Sequence, residues 1–99
     1  MRTIRFEYDP NKAIFNLAKH GVSFDEAVTV FEDEFAVLFD DPDHSIDERR
    51  MIILGFSANA RLLIVCHCEK EEKGVIRIIS ARKATHTEAL QYSMINKGW

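Results

Sequence analysis

Apolar and polar positions alternate along this chain in two rhythms, one of period two and one of three to four, and together they predict its elements. "TIRFEY" reads as a short strand. "DPNKAIFNLAKHG" has Asp9 as N-cap, Pro10 at the first helical position, an apolar face of Ala13, Ile14, Leu17 and Ala18, and Gly21 as its stop. A short amphipathic helix is expected there. "SFDEAVTVFED" follows with a capping box of Ser23 and Glu26 and a stripe of Phe24, Ala27, Val28 and Phe31, predicting a second helix on the same core.

"FAVLFDD" is a strand ended by the turn formers of "DPDHSID". "RRMIILGF" and "RLLIVCHCE" are longer strands joined by "SANA", and "KEEKG" leads into a last strand, "GVIRIISARKA". Thr85 and Glu88 form a second capping box before the helix "HTEALQYSMINK". The order predicts an α+β fold: a short N-terminal strand and two helices, an antiparallel β-meander sheet, then a C-terminal helix.

Ninety-nine residues, 46% hydrophobic and 29% charged, suit one compact domain spanning 1–99 and leave no room for a second. No apolar run approaches a membrane span, and "MRTIRFEYD" lacks a signal-peptide core, so a cytoplasmic protein is expected. Cys66 and Cys68 flank His67 in "VCHC". A disulfide between such near neighbours would be strained, so reduced thiols are expected. Strand alternation points His67 away from both thiols, and no second cysteine pair completes a zinc site.

The net charge of −3 argues against nonspecific coating of nucleic acid. Its distribution changes that picture. No Lys or Arg falls between Lys19 and Arg49, where acids crowd, whereas Arg49, Arg50, Arg61, Arg77, Arg82 and Lys83 follow. An acidic side and a basic side are expected.

Symmetric closure of "KEEKG" sets Glu69 opposite Val75, His67 opposite Arg77, Val65 opposite Ile79 and Arg61 opposite Lys83. A tight "SANA" turn pairing Phe56 with Arg61 then sets Arg50 opposite His67, a row of Arg50, His67 and Arg77 across three strands. A slip of one residue would split the row between faces. Arg82 has the opposite parity to Arg77, near a strand end where twist or a bulge can redirect it. Singly, these cations read as snorkelling surface residues paired to Glu69 or Glu48. As a row they require an anion, either an RNA phosphate or an acidic face of a partner protein.

Cations around a phosphodiester stabilise the charge of its transition state, and a base that takes the 2′-hydroxyl proton lets RNA attack itself without a metal. His67 is the favoured acid or base, with Glu48 as second choice. His20, at the end of the first helix, reads as a partner of terminal carbonyls. Lys12 opposes the helix dipole in the first turn, which a ligand phosphate would explain, with plain solvent exposure as the alternative. "DDPDHSIDE" has no regular ligand spacing and reads as a solvated turn rather than a cation site. There is no phosphate-cradling glycine loop and no HExxH.

"FEYDPNKAIFNLAKHGVSFDEAVTVFED", "DERRMIILG" and "IRIISARKAT" with a following Glu and Tyr92 resemble the BrnT family of type II toxins, whose fold is related to that of RelE-like ribonucleases. The resemblance extends over nearly the whole chain, and "KHGVSF" and "RIISARKA" are its most specific parts. It implies a cytoplasmic, metal-independent endoribonuclease that needs no cofactor and slows growth by cleaving RNA. It also implies a BrnA-like antitoxin with a ribbon-helix-helix domain, forming a two-plus-two complex that represses its own operon through operator DNA. Residues carried over are Lys12, His67, Arg77, Arg82 and Lys83, with Glu48 and Arg49 or Arg50 matching a Glu-Arg segment.

The expected catalytic set is therefore His67, Arg77, Arg82, Lys83 and Glu48, with Lys12, Arg49, Arg50 and Arg61 binding RNA. Net acidity departs from the basic character usual among RelE-like ribonucleases. A second reading follows: a non-catalytic partner that holds a DNA-binding antitoxin in a repressor complex. Gyrase poisoning, known among RelE-fold relatives, has no distinguishing residue here.

Overall fold

The computed structural model describes residues 3–41, 49–70 and 74–97. Strand β1 (Arg5–Glu7) leads into α1 (Pro10–His20) and α2 (Phe24–Thr29), which tightens into a 3₁₀ turn over Val30–Glu32. Then come β2 (Val37–Asp40), β3 (Arg50–Phe56), β4 (Leu62–Glu69), β5 (Val75–Lys83) and α3 (His86–Asn96). Every element expected from the periodicity is present, and the class is α+β. The turn read in "DPDHSID" lies, after Asp41, outside the described residues.

One five-stranded sheet runs in the order β1-β5-β4-β3-β2. Strands β2 to β5 form the antiparallel meander, and β1 adds to β5 in parallel, Arg5 beside Val75 and Glu7 beside Arg77. The sheet is thus mixed. A three-residue strand carries too little pattern to announce its neighbour, whereas hairpin partners follow from short connections. Because β1 pairs only as far as Arg77, the rest of β5 leaves the sheet edge to be covered by something else.

The main core lies on one face of the sheet, while Leu54, Ile64 and Cys68 are buried on the other. In the main core Val22, Phe24, Ala27 and Val30 pack against Ile53, Leu63, Val65, Ile78 and Ala81, with Phe6 and Phe31 in tilted contact at its margin at 5.0 Å between ring centroids. Gly55 on β3 has no room for a side chain: a Cβ would stand 2.9 Å from that of Ala36 and 3.1 Å from Asp33 Oδ2.

The helix caps form as expected at two places and in part at a third. Asp9 accepts from Asn11 N–H at 2.8 Å, Gly21 closes α1 at φ 69°, and Thr85 and Glu88 make the reciprocal capping box of α3. Ser23 accepts from the Glu26 N–H at 3.0 Å, but the Glu26 side chain does not return to Ser23. Buried Glu26 instead receives Ser57 Oγ at 2.7 Å, Arg61 Nε at 2.8 Å and a terminal Arg61 nitrogen. A charge-assisted fork from arginine outcompetes a single backbone N–H.

Helix α1 departs from its expected packing. Its one fully buried residue is polar Asn16, while Ile14 and Leu17 of the expected apolar face, and Phe15 beside them, are 70%, 51% and 67% exposed. Asn16 is drawn inward because the uncovered edge of β5 presents backbone groups that a carboxamide can satisfy. Its Nδ2 donates to Ala81 O at 2.8 Å and Val22 O at 2.9 Å, and its Oδ1 accepts from Ala81 N–H at 3.1 Å. Of the expected apolar face Ala13 does pack against the core, but the helix otherwise caps a strand with a polar residue and turns Ile14, Phe15 and Leu17 out.

Candidate functional site

The expected row of Arg50, His67 and Arg77 does not form. Strand β4 pairs Cys68 with Arg77 and His67 with Ile78, then Cys66 with Ser80, a shift that leaves Ile79 as a β-bulge. On the other side, Arg50 stands opposite Cys68 and not His67. Both hairpins differ by one residue from symmetric closure, so His67 falls on the opposite face from the arginines.

His67 is 3% exposed and packs on the core face, its ring edge-on to Phe31 at 4.8 Å and its Nδ1 3.2 Å from Val65 O. Burial holds its pKa below the ordinary histidine range. This geometry gives it neither an open side nor a cationic neighbour, contrary to the acid–base placement expected of it.

The row that does form is Arg50, Cys68 and Arg77, on the face turned away from α1 and α2. The bulge also reverses parity along β5, which brings Ser80 and Arg82 onto that face with Arg77. Arg82 grips Glu88 with two nitrogens at 2.8 and 2.9 Å. That grip holds the Glu88 carboxyl down to about 2. Arg77 Nε lies 3.6 Å from Glu7 Oε1, and Lys70 Nζ forms an ion pair with the same oxygen at 3.1 Å. Arg49 is exposed, 3.9 Å from Asp40. Lys83 pairs with Leu63 at the exposed end of β5, and Glu48 lies outside the described residues.

Arg61, expected to bind RNA, is committed to Glu26 and donates to Gly21 O at 3.1 Å, tying α2 to the β3–β4 turn. Burial pushes the Cys66 thiol up, helped by nearby Asp41, whose Oδ2 lies 3.8 Å away. Neither cysteine is in a disulfide. Among the described residues no group of three or more His, Cys, Asp or Glu side chains is arranged to hold a metal ion.

A different constellation converges at the capped edge of β5. An open groove of about 400 Å³ runs between α1 and the β5 bulge, with Lys12, Lys19 and His20 along its helical wall and Ile79 and Ser80 opposite. Asn11, Phe15 and Asn16 complete the lining, and Lys19 Nζ sits 5.9 Å from the Phe15 ring centre. Positions 12, 16, 19 and 20 share one side of a helix, so the same turn of α1 that buries Asn16 aims both lysines and the histidine into the groove. Lys12 was expected among the functional residues; Lys19 and His20 were not. The missed signal was Asn16, a polar residue in the middle of an apolar face, which sets the helix facing.

Lys19 and His20 of the groove belong to "KHGVSF" and Ile79 and Ser80 to "RIISARKA", the most specific parts of the family resemblance. The family described as "Ribonuclease toxin, BrnT, of type II toxin-antitoxin system" matches residues 8–88. Comparison with solved structures finds the Brucella abortus ribonuclease toxin BrnT, at a TM-score of 0.60 and 22% identity, covering 87% of this chain and 99% of that one. No curated protein sequence matches significantly. The structural likeness supports the fold, and the family match spans α1, α2, strands β2 to β5 and the start of α3. This chain belongs to the BrnT ribonuclease toxin family of type II toxin–antitoxin systems.

Proposed function

We propose that this chain is an endoribonuclease that cleaves RNA in the groove between α1 and β5, with His20 as its proton-transfer group. The observation that carries the reading is the convergence of His20, Lys12 and Lys19 on one groove beside the β5 bulge. Imidazole is the side chain most often used to move a proton in such reactions. His20 takes the proton of a 2′-hydroxyl, the freed oxygen attacks the adjacent phosphorus, and the bond to the 5′ oxygen breaks. The products are a 2′,3′-cyclic phosphate end and a 5′-hydroxyl that collects its proton from water or a neighbouring ammonium.

Lys12 and Lys19 face the charge that grows on the phosphoryl oxygens, the place where fixed cations lower the barrier. They also make the groove a poor cage for a metal, because ammonium groups have no lone pair to give. Phe15, 67% exposed on the groove wall, offers a ring for a base to stack on. Arg77 and Arg82 share a face with Ser80 across the bulge and hold flanking phosphates as the strand leaves the groove. Binding at a few positions suits a chain whose net charge is −3.

In its operon the toxin is held by a BrnA-like antitoxin whose ribbon-helix-helix domain carries the complex to operator DNA. The test is incubation of the purified chain with RNA in excess chelator. The expected result is new 5′-hydroxyl and cyclic-phosphate ends. Intact RNA from folded protein would contradict the reading and favour a non-catalytic repressor partner.

A further inference from the structure

We infer that the outer face of α1 is the docking surface for an acidic, amphipathic segment of the antitoxin, which neutralises the toxin by lying across the groove. This rests on the reading above that the chain is a toxin with a protein antitoxin. Helices of a small domain ordinarily turn their apolar side inward, and α1 does the reverse because Asn16 is bonded to Val22 and to both backbone groups of Ala81. Ile14, Phe15 and Leu17 stand 70%, 67% and 51% exposed, with Ala18 exposed between them. Residues at these spacings form one continuous stripe. A contiguous apolar stripe rimmed by polar groups marks a site of protein association.

Charge identifies the occupant. No Asp or Glu occurs between Pro10 and His20, so α1 presents Lys12, Lys19 and His20 alone, within a chain of net charge −3. An acidic segment gains from that local field, and its apolar side chains find Ile14 and Leu17. RNA would use the cations but has no aliphatic groups to cover Ile14 and Leu17. A second copy of this α1 would bring like charge against like. Because Phe15 belongs both to the stripe and to the groove wall, a segment seated on the stripe also obstructs the groove.

The experiment uses the full chain and the protein encoded by the reading frame beside its gene that relieves its toxicity. Binding is measured by calorimetry for the wild type and for the Ile14→Glu/Leu17→Glu double variant, beside circular dichroism and RNA cleavage. Neither position lines the groove. The expected result is a loss of affinity of about a hundredfold or more, with fold and cleavage retained. Wild-type affinity should also fall as salt is raised.

Undiminished binding by the double variant would overturn the surface assignment while leaving the toxin reading intact. Loss of RNA cleavage with antitoxin binding kept would assign the stripe to RNA, and loss of self-association alone would assign it to a second copy; both overturn the proposal. A wild-type chain that neither cleaves RNA nor binds that protein would overturn the toxin reading itself.

Discussion

Asn16 is bonded to Ala81 through both ends of its carboxamide, donating to the carbonyl at 2.8 Å and accepting from the N–H at 3.1 Å. Ala81 lies on β5 beyond the reach of β1, so this side chain stands in for the missing strand. The orientation of α1 follows from it, and with that orientation the groove and the outward apolar stripe.

Asn16→Leu should therefore be costly although it adds hydrophobicity to a buried position. It strips partners from three backbone groups, those of Val22 and Ala81, and buried unsatisfied groups cost about 1–3 kcal/mol each before relaxation and water entry. We expect a loss of about 2–4 kcal/mol in urea unfolding, with RNA cleavage reduced in the fraction that remains folded. A variant as stable as wild type would show that the α1 cap is incidental.

His67 gives a pH signature. Its pKa is lowered in the folded protein by burial, so the unfolded chain binds the proton more readily. Its contribution to stability is complete above the ordinary value of 6.5 and is lost as pH falls below it toward the folded value. His67→Phe should flatten the change in urea midpoint between pH 7.5 and pH 5 while leaving RNA cleavage in place. Retained pH dependence in that variant would assign the effect to other groups.

Glu88 acts at lower pH. Arg82 holds its pKa down at about 2 against an ordinary 4.5, so its contribution is present above 4.5 and lost as pH falls through about 2. Glu88→Gln should flatten the acid limb of the unfolding curve in that window. Helix α3 buries no residue fully, and its N-terminal end depends on this pair and the capping box, so amide exchange there should quicken in the variant. Unchanged exchange would mean that the Tyr92 hydroxyl bond to Asp33, 2.8 Å long, suffices to hold α3.

Arg77→Ala should weaken RNA binding without removing the chemistry. Its side chain is half exposed and shares Glu7 with Lys70, so the fold tolerates its loss. Loss of one charge-assisted phosphate contact corresponds to roughly a tenfold drop in kcat/KM, expressed mainly in KM. A collapse of kcat instead would move the reacting phosphate from the groove to the sheet face that carries Arg77.

The elements, their order and most caps were legible because each rests on local signals: Asp9 and Pro10 before α1, Gly21 after it, Thr85 with Glu88 before α3. The pairing of β3 to β5 followed from short connections. The site was less legible because strand register has a period of two, and the bulge at Ile79 reversed the facing of residues on either side of it. Thus Arg77 and Arg82, read as opposed, share a face, and His67, read as their neighbour, is in the core. Nor could the helix pattern show that Asn16 is buried, because the edge it caps is exposed by the shortness of β1, sixty residues or more from β5 in the chain. Arg61 read as a free cation because its partner, Glu26, seemed spoken for by a capping box.

Placement of the chemistry in the α1 groove is tested by comparing RNA cleavage by His20→Ala and His67→Phe at equal concentrations of folded protein. This placement predicts that His20→Ala loses about a hundredfold or more in rate, the usual contribution of a proton-transfer group, and that His67→Phe retains cleavage close to wild type. Full activity in His20→Ala, or a comparable collapse in correctly folded His67→Phe, would contradict it.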